Sequence, residues 1–161
     1  MAKISIYTRQ TLDQVTQLAN SFGVSPRIVR AIITIESSWN PFAIKYEPAF
    51  DYVVDPMKYA MLNGITKDTE QRMQMFSYGL MQIMGGTARD LKFDDNLMKL
   101  TDLTTNVELG CMLINRLQRK YTSVEDIAAA YNAGSVRKTA EGQYENAGYV
   151  KKFSDAYNSY A

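Results

Sequence analysis

Histidine is absent from all 161 residues, which removes Ser-His and Cys-His catalysis together with every histidine-bearing metal site. Acid–base chemistry must therefore fall to carboxylates, tyrosine or lysine. A single cysteine, Cys111, leaves no intramolecular disulfide to form and reads as a small core residue. Proline is scarce and no stretch is low in complexity, which argues against disorder. The net charge is only +1, with Lys and Arg scattered rather than gathered into a stripe, and this argues against nucleic acid as the main partner. No segment has the length and apolarity of a membrane span, and Met1–Thr8 lacks the apolar run of an export signal. The expectation is a soluble protein made in the cytoplasm, without stable membrane insertion, cofactor or metal.

What is present is a well-stocked core. Hydrophobic residues make up 46% of the chain, enough for one domain over 1–161 that buries about two thirds of its unfolded surface. Eleven tyrosines against one tryptophan suit a wet groove or half-buried packing.

The pattern is mainly helical. Thr8–Phe22 carries Leu12, Val15, Ala19 and Phe22 on one face and ends at Gly23. Ser25 as N-cap and Pro26 at the first position start a helix to Ser38. Residues 40–63 break this period with aromatics and prolines, and either a short β-hairpin or an ordered loop is expected over 42–66. Helices follow over Asp68–Phe76, Thr87–Leu91, Thr104–Tyr121, Ile127–Ala133 and Glu145–Tyr160. Between the first two of these, Ser77–Gly86 predicts a tight turn with one or two helical turns.

Glu36 breaks the rule of the second helix. It lies four residues from Ile32 and eight from Ile28, on the face that should point inward. A carboxyl there is costly unless paired, neutral or in use. Burial and the negative helix end both raise its pKa, as a general acid requires. A partly exposed acid at a helix end is the plain alternative. Other polar positions stand out as well: Ser77 and Gln82 beside glycines, Tyr131 and Asn132 at the end of an Ala-rich helix, and Tyr149 opening the last one. Each alone is equally compatible with packing or capping.

Taken in order, these blocks form a pattern. Glu36-Ser37-Ser38-Trp39-Asn40-Pro41, Gly79-Leu80-Met81-Gln82-Ile83-Met84 with Thr87-Ala88-Arg89, Ala130-Tyr131-Asn132-Ala133-Gly134 and Tyr149-Val150 closely resemble the lytic transglycosylase family of the lysozyme superfamily. The resemblance spans residues 25 to about 153. It implies a mainly α, lysozyme-like fold with a saccharide groove and a monomer acting on the peptidoglycan glycan strand. Glu36 maps onto the family's catalytic acid and Ser37 onto its hydrogen-bonding support. Met81 and Gln82 map onto groove-lining residues, and Tyr131, Asn132 and Tyr149 onto the motif positions that follow; Ser77 joins them as a substrate-binding candidate. Two departures stand out. Gly85-Gly86 replaces the usual proline after the second motif's methionine, and an insertion including Tyr46–Lys67 could roof the groove or supply a second acid.

Glycosidases usually use two carboxylates, yet none of the four blocks brings a second one. The resemblance therefore implies that Glu36 protonates the glycosidic oxygen between N-acetylmuramic acid and N-acetylglucosamine. It would then take the proton of the muramyl 6-hydroxyl, which closes a 1,6-anhydro ring. Tyr131 is expected to orient Glu36, and Gln82 and Asn132 to hold acetamido groups. A hydrolytic muramidase of goose-type lysozyme style, with Asp51 or Asp55 positioning water, is the rival. A non-catalytic glycan-binding or virion protein is a second. An enzyme of the cell wall without an export signal fits a phage product, such as an endolysin or a virion component, or a domain of a longer protein, acting in the periplasm or wall.

Overall fold

Apolar faces at helical spacing account for most of the architecture. A computed structural model describes residues 6–160, so the first five residues of the segment read for an export signal lie outside the described residues. Helix α1 (Ile6–Ser21) buries Val15 and Ala19, and α2 (Pro26–Ser37) buries Ile28, Val29, Ile32 and Ile33. Pro26 sits at the first position of α2, whereas Ser25 caps by position alone and makes no side-chain cap bond. Helix α6 (Leu103–Gln118), started by Asp102 accepting from Thr105 N, runs through the centre. Helix α7 (Val124–Ala133) is capped by Ser123 and closed by left-handed Gly134, and α8 (Ala147–Ser159) packs on both α2 and α7. Each large aliphatic side chain removed from water in this core contributes roughly 1.5–3 kcal/mol. Burial pushes the Cys111 thiol up to about 12, as suits an inert core residue. Among the described residues no helix is long and apolar enough to cross a membrane.

The insertion is more structured than its sequence suggests. It contains strand β1 (Ile44–Tyr46) and an unforeseen helix α3 (Pro56–Asn63), capped by Asp55 accepting from Lys58 N at 3.2 Å. This helix turns only Tyr59 and Ala60 inward and leaves Met57, Met61 and Leu62 exposed, so it shows no apolar period. Helix α4 (Lys67–Met73), capped by Thr66, stops short of the expected Phe76, because Phe76–Tyr78 is strand β2.

Ser77–Met84 does not form helical turns. Strand β2 turns back into β3 (Ile83–Met84), and β1 pairs antiparallel with the other edge of β2, giving the order β1-β2-β3. Left-handed Gly79 (φ 73°) and Gln82 (φ 49°) bracket the turn and forbid a helix through it. Fully buried Asn106 of α6 satisfies the turn: its Nδ2 donates to Tyr78 O and Leu100 O, each at 2.7 Å, and its Oδ1 accepts from Met81 N at 2.8 Å. A Cβ at Gly79 would lie 2.4 Å from that Nδ2, so only glycine fits. Helix α5 (Gly85–Asp90) follows, pinned to α4 by Arg89 and Glu70, both 0% exposed and joined by two bonds of 2.7 and 3.0 Å.

Candidate active site

The last turn of α2 carries Glu36 into a cleft of about 880 Å³. The chain then turns away sharply, because Ser38 (φ 50°) and Trp39 (φ 67°) are both left-handed. Such strain persists only where the surroundings fix it; here the Trp39 indole donates to Thr34 Oγ1 at 3.1 Å. Ser37 secures the same turn by donating to Leu80 O at 2.7 Å and Ile33 O at 3.2 Å. It supports the position of Glu36 and is not part of the cleft lining.

Glu36 is half-buried, and the Tyr149 hydroxyl of α8 donates to its Oε1 at 2.6 Å. Desolvation raises its pKa, against the opposing effects of the Tyr149 bond and of Lys45; Glu47 adds a smaller upward push. Tyr149 itself titrates far above its ordinary range, through burial and the neighbouring Glu36 charge, so it is a permanent donor at neutral pH.

The expected orienting role of Tyr131 therefore belongs to Tyr149. Tyr131 lines the cleft, but its hydroxyl donates to Met81 O at 2.8 Å. Met81 itself is fully buried and does not line the groove. Its side chain fills a notch in α6, where a Cβ at Gly110 would lie 2.1 Å from its sulfur.

Gln82 faces the cleft, but its amide is occupied. Its Nε2 donates to Ala43 O and Gly79 O at 3.1 and 3.0 Å, while its Oε1 accepts from buried Ser77 at 2.8 Å. These bonds hold its left-handed backbone, so it braces the hairpin and has no amide hydrogen left for an acetamido group. Asn132 differs. Its Oδ1 accepts from Asn146 at 2.9 Å, but its Nδ2 has no acceptor among the described residues, and it is exposed on the cleft wall.

Neither Asp51 nor Asp55 lines the cleft; Asp51 is exposed and Asp55 is spent as the α3 cap. The cleft acids besides Glu36 are Glu47 and Asp90, which sequence reasoning missed. Glu47 pairs with Lys45 at 2.7 Å just beyond β1. Alternation along this strand puts Lys45 and Glu47 on one face, a signal that only the pairing of Lys45 with Ser77 turns toward the cleft. Asp90 pairs with Arg116 of α6. The insertion does roof one wall, with Ala49, Phe50 and Tyr52 facing the cleft.

The family model described as the transglycosylase SLT domain matches residues 13–154. Comparison with curated proteins finds no match.

Proposed function

Because the chain belongs to the transglycosylase SLT domain family of peptidoglycan lytic transglycosylases, we propose that Glu36 is the acid, then the base, of its reaction. The scissile linkage is the β-1,4 bond between N-acetylmuramic acid and N-acetylglucosamine. The observation that carries this reading is the 2.6 Å bond from Tyr149 to Glu36 Oε1 inside the cleft. With Oε1 so occupied, the acidic proton resides on Oε2, and desolvation raises its pKa above the ordinary carboxyl value. Delivery to the glycosidic oxygen leaves a carboxylate that the same phenol stabilises. That carboxylate takes the proton of the muramyl 6-hydroxyl, whose oxygen closes on the anomeric carbon. The nucleophile is internal, so its effective molarity is high and no activated water is needed. The free Nδ2 of Asn132 supports a role in holding an acetamido carbonyl.

Mass spectrometry of digested peptidoglycan tests the route: 1,6-anhydromuramyl ends are expected. Glu47, an acid of the same cleft, favours a second reading in which it positions water for hydrolysis. That reading requires reducing ends and their loss in Glu47→Gln.

Tyr149→Phe removes a bond that favours ionised Glu36, so the pKa of the acid rises further. Activity that needs the protonated acid falls as pH rises through that pKa. The alkaline limb of the pH–rate profile should therefore move to higher pH. The lost bond to a charged group should also lower kcat roughly 10- to 100-fold.

A further inference from the structure

Apart from the proposed acid–base chemistry, the cleft is crossed by polar contacts between its lining residues. Its floor runs from Gln82 through Met84 and Thr87 to Asp90, the last residue of α5. On one side the Tyr52 hydroxyl donates to Asp90 Oδ1 at 3.2 Å. From the opposite side Arg116 of α6 donates to Asp90 Oδ2. The Arg116 bond, and after it that from Tyr52, hold the Asp90 carboxyl below its usual range, so both acceptor oxygens stay available. Roof, floor and opposite wall meet at this one residue.

Exposed polar contacts of this kind contribute little strength by themselves. What makes the crossing stiff is the anchoring of the roof. Gln74, fully buried, accepts from Val54 N at 2.7 Å and donates to Val54 O at 2.9 Å. The same amide donates to Glu70 Oε1 at 2.9 Å, tying the loop to the buried Arg89 pair. Beneath the loop, a Cβ at Gly86 would lie 2.2 Å from Tyr52 O. Gly86, the second glycine of the pair that follows the motif methionine, thus lets the roof lie directly on α5.

A strand cut at an internal bond must leave the cleft at both ends. We propose that the Tyr52–Asp90–Arg116 bar is a stop for the glycan strand, so that the enzyme cuts within a few sugars of a strand end. This rests on the transglycosylase reading, because it takes the cleft as the path of the strand.

The test is the length distribution of soluble products released early from purified peptidoglycan sacculi. The intact chain should release short fragments from the outset. Tyr52→Ala and Arg116→Ala, compared at matched numbers of bonds cut, should each shift early products toward long chains. Long fragments from the intact chain would overturn the stop while leaving the chemistry standing. Short fragments unchanged in both variants would overturn the role of the bar. No release of sugar fragments by the intact chain would overturn the transglycosylase reading itself, and the stop with it.

Discussion

Glu36→Gln is expected to lose at least about 10⁴-fold in turnover of peptidoglycan, because in the proposed reaction one carboxyl serves as both acid and base and general catalysis contributes typically 10²–10⁴-fold per role. Glutamine keeps the shape and still accepts the Tyr149 bond on its amide oxygen, so the loss reports proton transfer and not geometry. The fold should not suffer. Glu36 has a raised pKa in the folded state, so folding favours its protonated form. The stability it contributes is fully present below its ordinary range near 4.5 and is lost as pH rises through the raised folded value. A neutral amide has no such loss. Denaturant titrations at neutral pH should therefore find the variant at least as stable as the parent, alongside near-zero release of soluble sugar. Turnover within tenfold of the parent would remove Glu36 from the mechanism.

Glu70→Gln should be the most damaging change away from the cleft. It leaves the Arg89 guanidinium fully buried with its charge partner gone, and breaking such a pair costs about 3–5 kcal/mol. Arg89 keeps its bonds to Phe93 O and Asp95 O, each 2.7 Å, and its stacking over Tyr59, with 4.4 Å to the ring centroid. These contacts orient the cation without neutralising it. A fall in the urea midpoint of the size that cost implies is expected. Replacing both partners with apolar residues of similar volume should recover much of it, since the pair's own desolvation penalty disappears too. The Gln74 amide also loses its carboxylate acceptor, so proteolysis near Val54 should accelerate in the single variant.

The helices that were legible in the sequence are those whose burial is periodic. Helices α2, α6, α7 and α8 have apolar residues at helical spacing, and the first three start or stop at Ser, Asp, Pro or Gly, so local rules suffice for them. Helix α3 was illegible because its methionines face outward. The β2–β3 hairpin was illegible because the group that satisfies its turn, Asn106, arrives 25 residues after Met81.

In the site, Glu36 was legible because an acid on an inward face conflicts with its surroundings. Which phenol would reach it was not, since Tyr131 and Tyr149 look alike until α8 is laid against α2. Gln82 and Met81 stood in recognisable positions, but their roles depend on rotamer and burial, which linear order does not carry. Glu47 and Asp90 enter the cleft only through sheet register and the placement of α5.

The bond from Tyr149 to Glu36 joins residues 113 positions apart. At ribosomal rates of about 5–20 residues per second, roughly ten seconds separate the emergence of α2 from that of α8. Through that interval α2 lacks the helix that packs on it, and the acid lacks its phenol. The nascent chain is therefore sticky, and the acid and its phenol are paired only when α8 docks. The SLT-domain fold thus brings acid and phenol together only once α8 has docked on α2, a timing written into connectivity alone.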